Sequence, residues 1–161
     1  MTKDPRCCCT PKATLVPAVA CPSCGRSGQP VAALTMRAML RPELVVQVRD
    51  AAYYYCATPS CPMVYYAPGG PQTFNCEDLP VRVGIKVTGP PPTICYCFGL
   101  TIESLREDVA RTGRSEAVEA IQAAVKAGTC RCEVMNPSGR CCMGDVVKAL
   151  KVIGGGLLGQ V

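Results

Sequence analysis

In the first half of the chain, apolar residues fall in short runs and alternations rather than at helical spacing. Residues 51–56 (AAYYYC) and 63–67 (MVYYA) are aromatic and bounded by turn formers, so each predicts a strand. Val81, Val83, Ile85 and Val87 alternate with Arg82, Gly84 and Lys86, which predicts a third strand over 81–87. Residues 33–40 predict a short helix that closes before Pro42, whose ring disfavours helical backbone in the residue ahead of it. At Thr88-Gly89-Pro90-Pro91-Pro92 the pattern breaks. Three consecutive prolines favour a stiff extended spacer, so a boundary is expected at 88–93.

Beyond it the period becomes helical. Ile102, Leu105 and Val109 recur at helical spacing, with Thr101 placed to cap and Gly113 to terminate. Val118, Ile121 and Val125 form the apolar face of a second helix, opened by Ser115 and ended by Gly128. Val146, Leu150 and Ile153 mark a third, from about Gly144 to Ile153. The ends differ from the rest. Residues 1–19 carry Pro5, Pro11 and Pro17 and read as a flexible leader, and the glycine-rich stretch 154–161 is expected to fray.

Composition changes the picture sharply. Fourteen cysteines in 161 residues imply a disulfide framework or a metal framework. The segment MTKDPRCCCTPK has no apolar core of a secretory signal, and no apolar run reaches the length of a membrane span. A reduced, cytoplasmic compartment is therefore expected, where clustered thiols read as metal ligands. Histidine is absent. That removes Ser-His-Asp and Cys-His catalysis, His-ligated zinc enzymes and Rieske clusters, so the protein is not expected to be an ordinary enzyme. The net charge of +5 is scattered singly along the chain. Two four-thiolate metal sites at about −2 each would bring it near +1, so no nucleic-acid partner is expected.

Cys21-Pro22-Ser23-Cys24-Gly25 is a CxxC knuckle followed by glycine, and Cys56-Ala57-Thr58-Pro59-Ser60-Cys61 supplies a second pair. Four thiolates satisfy Zn²⁺ completely and leave no position for water, so Cys21, Cys24, Cys56 and Cys61 predict a structural zinc. A unit this small has a modest core, and metal binding can supply folding free energy. A thioredoxin-like redox CxxC needs a βαβ context, which this proline-rich surrounding does not offer.

Cys95-Tyr96-Cys97 opens the helical half, and Cys130-Arg131-Cys132 and Cys141-Cys142 follow. A short connection at Gly113 and Arg114 makes the first two helices antiparallel, which brings Cys95 and Cys97 opposite Cys130. Asn136-Pro137-Ser138-Gly139 is a turn signal that folds Cys141 and Cys142 back to the same place. The start of the first helix offers amide donors and partial positive charge to an anionic cluster. Four converging thiolates, two for each iron, predict a [2Fe–2S] cluster.

Residues 95–132 resemble the [2Fe–2S] domain of bacterioferritin-associated ferredoxins, which carry CxC, a helical hairpin and a later cysteine pair. This chain departs from them in ending with CxC and then CC. That ending, CRCEVMNPSGRCCMGDV, together with CPSCG and CATPSCPMVYY, is similar to the N-terminal domain of CopZ-type copper chaperones over roughly 20–153. The resemblance implies cluster ligands at Cys95, Cys97, Cys130 and one of the terminal pair. Cys141 is the expected choice because it directly follows the turn, whereas Cys142 is expected to point away, and Cys132 and Cys142 stay open as substitutes. The fold class is thus expected to be α+β. A treble-clef-like zinc unit (20–87) precedes a helix-hairpin [2Fe–2S] domain (94–153).

Copper handling follows as the expected function: Cu(I) bound on thiolates, Cys7, Cys8 and Cys9 among the candidates, with single-electron reduction of Cu(II) as a further capacity. Cys76, beside Glu77 and Asp78, reads as a small core residue. The resemblance implies a copper-transporting ATPase as partner. The MxCxxC loop with which full-length relatives deliver copper is absent from this sequence. A ferredoxin-like electron carrier serving a redox partner protein is the alternative, and a structural metal-bound adaptor a third.

Overall fold

A computed structural model describes residues 18–70, 72–86, 89 and 92–157. Cys7, Cys8 and Cys9, most of the expected leader, and Pro90 and Pro91 lie outside the described residues.

The first half is built on a four-stranded antiparallel meander of β1 (Gln29–Val31), β2 (Tyr53–Tyr55), β3 (Met63–Tyr66) and β4 (Thr73–Asn75). The tyrosine-rich runs form the two central strands, with Tyr54 opposite Tyr66 and Tyr55 opposite Tyr65. Strand alternation then sorts the rings. Tyr53, Tyr55 and Tyr65 enter the main core with Met36, Leu40, Val64 and Phe74, whereas Tyr54 and Tyr66 pack with Cys21, Cys56 and Cys61 on the other side. Both faces of the sheet are covered, which explains why all five rings are buried. Helix α1 (Ala33–Met39) ends ahead of Pro42 as expected, and the single turn α2 (Pro42–Val45) follows.

No strand forms over 81–86. Instead Gly84–Lys86 is a 3₁₀ turn, in which the Lys86 amide donates to Val83 O at 2.8 Å. In a strand Val83 and Ile85 would share a face; here Val83 is buried and Ile85 exposed. The cause is a close crossing. A Cβ on Gly84 would lie 2.1 Å from Thr93 O, and the Gly84 amide donates to the Tyr96 hydroxyl at 2.7 Å.

The second half runs β5 (Thr93–Cys95), β6 (Leu100–Thr101), α3 (Ile102–Thr112), α4 (Ala117–Lys126), α5 (Cys132–Met135) and α6 (Met143–Leu157). Thr101 and Ser104 cap α3 reciprocally, at 3.0 Å and 2.9 Å, and Gly113 ends it in the left-handed conformation at φ 78°. Both α3 and α4 pack on α6, which runs four residues past the expected end at Ile153. Leu105, Ile121 and Val146 share one core with Cys95, Cys132 and Cys142.

The halves are docked on each other. Helix α5 packs against α1, the Tyr65 hydroxyl donates to Pro137 O at 2.7 Å, and Gly139 closes on Thr35. No helix among the described residues is long and apolar enough to cross a membrane.

Candidate metal centres

The first centre lies under the tyrosine face of the sheet. Gly25, at φ 71°, lets the chain reverse tightly, so that its amide donates to Cys21 O and the Cys21 amide to Arg26 O, both at 2.8 Å. This knuckle aims Cys21 and Cys24 at the loop between β2 and β3, which carries Cys56 and Cys61. Their sulfurs meet in two pairs: Cys21 to Cys61 at 3.9 Å and Cys24 to Cys56 at 3.7 Å. All four lie within 4.8 Å of one another. Thiolates at about 2.3 Å from a tetrahedral ion stand about 3.8 Å apart, so this donor set fits zinc in both chemistry and size.

The surroundings complete that fit. Burial pushes the Cys21 thiol up to about 12, while the Thr58 hydroxyl, 3.4 Å from Cys24, holds that thiol down to about 6. Lys86 reaches over the second knuckle and donates from Nζ to Thr58 O at 2.8 Å and Cys61 O at 2.9 Å. It fixes the loop and brings a positive charge toward sulfurs that would be anionic with a metal bound. Lys86 lies in the stretch expected to be a strand, and no spacing rule pointed to this role.

The second centre gathers cysteines from three places: the hairpin of β5 and β6, the segment leading into α5, and the start of α6. Cys142 Sγ lies 2.7 Å from Cys95 Sγ, Cys97 Sγ 3.7 Å from Cys132 Sγ, and Cys130 Sγ 3.2 Å from Cys132 Sγ. Cys95, Cys132 and Cys142 are at most 1% exposed; Cys97, Cys130 and Cys141 are half-buried. The Cys142 thiol donates to both Cys95 and Cys132, which raises its own pKa and lowers theirs, to about 7 and about 5. Phe98 and Cys97 amides also donate to the Cys95 sulfur. Cys97 is pushed up to about 12, chiefly by burial. Five sulfurs, those of Cys95, Cys142, Cys132, Cys97 and Cys130, are thus linked in one run, a soft thiolate set of the kind that can take an iron–sulfur cluster.

The six sequence candidates therefore divide unequally. Cys97 and Cys130 meet at Cys132, while Cys95 lies against Cys142. Cys142 points inward, against expectation, because it heads the apolar face of α6: Cys142 and Val146 are one helical turn apart and both buried. The Cys142 carbonyl accepts the first amide bonds of that helix, from Asp145 and Val146. Cys141, its chain neighbour, faces instead a cavity of about 690 Å³ between the halves, lined also by Tyr55, Tyr96, Arg140 and Asp145. Cys76 packs partly buried at the edge of the main core.

Comparison with known proteins bears on both centres. Residues 18–80 match the family model of the CopZ zinc binding domain. Over 123 residues the chain is 37% identical to the copper chaperone CopZ of Archaeoglobus fulgidus, an overlap of 76% of this chain and 57% of that protein. The chain thus spans a little over half the length of that relative. The fold is similar to the X-ray structure of the Archaeoglobus fulgidus CopZ N-terminal domain, with a TM-score of 0.66 and 33% identity, covering 81% of this chain and 96% of that one.

Proposed function

The chain belongs to the family of CopZ-type copper chaperones, through the zinc-binding N-terminal domain, and from that premise we propose that it binds Cu(I) on thiolates and passes it on. In this reading Cys21, Cys24, Cys56 and Cys61 hold a structural zinc. Cys95, Cys97, Cys132 and Cys142 hold a [2Fe–2S] cluster. The observation that carries the reading is a closed set of four converging sulfurs and a second, separate group of linked cysteine sulfurs on one small fold, each walled by its own core.

Cys132 and Cys142 are taken as ligands in place of Cys130 and Cys141 because theirs are the fully buried sulfurs, 3.7 Å from Cys97 and 2.7 Å from Cys95. A [2Fe–2S] cluster, when bound, supplies one electron at a time, which is what reduction of Cu(II) to Cu(I) requires. The protein's part is to exclude water and to orient donors. Buried Leu105, Ile121 and Val146 wall the thiolates, and the Phe98 and Cys97 amides face the Cys95 sulfur. The function is assigned to the reducing cytoplasm, where such thiols persist, and the receiving partner is a copper-transporting ATPase.

The test is transfer. Cu(I)-loaded chain is mixed anaerobically with the soluble metal-binding domain of a copper-transporting ATPase, and copper is measured on each protein after separation. Copper is expected to move to the ATPase domain. Copper that stays on the chain, with electrons passing to or from a ferredoxin reductase, would replace the chaperone reading with that of an electron carrier.

A further inference from the structure

Three of the sulfurs in the second centre form a group of their own. Cys97, Cys130 and Cys132 have all their Sγ atoms within 4.8 Å of one another, at 3.7 Å for Cys97 to Cys132 and 3.2 Å for Cys130 to Cys132. Among the described residues no fourth cysteine or carboxylate joins the group at that distance. Zinc asks for four protein donors in a closed site, and this group offers three. A soft d¹⁰ monovalent ion is content with two or three thiolates, and soft sulfur ligands select Cu(I). With metal–sulfur bonds of about 2.3 Å, a trigonal ion holds its sulfurs about 4.0 Å apart, so small side-chain adjustments close the site.

The backbone supports such a site. Cys130 follows the end of α4, where its amide and that of Thr129 both bond to Ala124 O, at 3.3 Å and 2.9 Å. Cys132 begins α5 and is buried, while Cys97 and Cys130 are half-exposed, so the group has a closed inner wall and a solvent side through which an ion can arrive.

We propose that Cys97, Cys130 and Cys132 form a three-thiolate Cu(I) site, and that copper there and the [2Fe–2S] cluster exclude each other. The exclusion rests on the ligand reading given above, because the two metals would share Cys97 and Cys132. Binding involves no change of oxidation state: one Cu(I) enters, three thiols release their protons to solvent, and three Cu–S bonds form. Occupancy of the cluster then sets the copper capacity of the chain, which is low when the cluster is present and higher by one ion when it is lost.

The test is an anaerobic Cu(I) titration of the full zinc-loaded chain against bicinchoninate, with iron-loaded and iron-free protein, in wild type and Cys130→Ser. Iron-free wild type is expected to hold one more tightly bound copper per chain than the iron-loaded form. Cys130→Ser should remove that ion while keeping zinc content and, when iron-loaded, the wild-type visible spectrum. X-ray absorption on copper-loaded, iron-free wild type should show three sulfurs on that additional copper. Equal copper binding by iron-free wild type and Cys130→Ser overturns the site. Equal binding by iron-loaded and iron-free wild type overturns the exclusion. Loss of the visible bands in Cys130→Ser would instead overturn the ligand reading, and the exclusion with it, while the iron-free titration still decides the copper site.

Discussion

Lys86 bears on the first centre from outside the cysteines. Its two bonds to Thr58 O and Cys61 O clamp the loop that presents half the sulfurs, and its charge would offset that of four thiolates around one divalent ion. Replacing it with methionine keeps the apolar stem and removes both effects. Zinc should leave Lys86→Met about tenfold faster in the presence of a chelator, and Lys86→Arg should recover most of the loss. Equal release rates would reduce Lys86 to a surface residue. The knuckle cysteines were legible because ligand spacing is set by local backbone geometry, which a sequence displays. The second centre was legible only in part, because its sulfurs are placed by helix phase. Stepping back one turn from Val146 along the apolar face of α6 lands on Cys142, not Cys141, and that signal was present in the sequence.

At the level of elements, strong periodicity, explicit caps and the tyrosine-rich strands were read correctly, and the short strands flanking them were not. Strands β1 and β4 have three residues each, too few for alternation to register, and exist because the tyrosine strands between them need edges. The alternation at 81–87 pointed to a strand, but the Gly84 crossing by β5 requires a turn, a contact made by residues distant from the pattern itself. Helix α3 shows the opposite case. Its cap is written locally in Thr101 and Ser104, and the helix carries Leu105 into the core that walls the second centre. Thr101→Ala should cost about 1 kcal/mol of stability, measured by urea unfolding of the metal-loaded chain. Thr101→Ser should cost much less. A neutral Thr101→Ala would mean that packing alone fixes the start of α3.

For the whole molecule, the joint between halves matters most. The polyproline stretch suggested two separate units, yet α1 lies on α5, and the buried Tyr65 hydroxyl donates across the joint to Pro137 O. Tyr65→Phe leaves that carbonyl without its donor and should destabilise the chain by about 1–2 kcal/mol. If the halves unfold as one, a single transition should move as a whole; two transitions, with only one shifted, would show that the joint is weak. In the proposed reading such a joint holds together two metal centres of different chemistry, one structural and one able to exchange electrons, and that pairing is the central claim. It is tested most directly by metal analysis of the anaerobically purified chain, together with visible and electron paramagnetic resonance spectra. The account predicts one zinc and two irons per chain, a red-brown oxidised form without a paramagnetic signal, and a single S = ½ signal after one-electron reduction. Zinc alone, or four irons per chain, would contradict it.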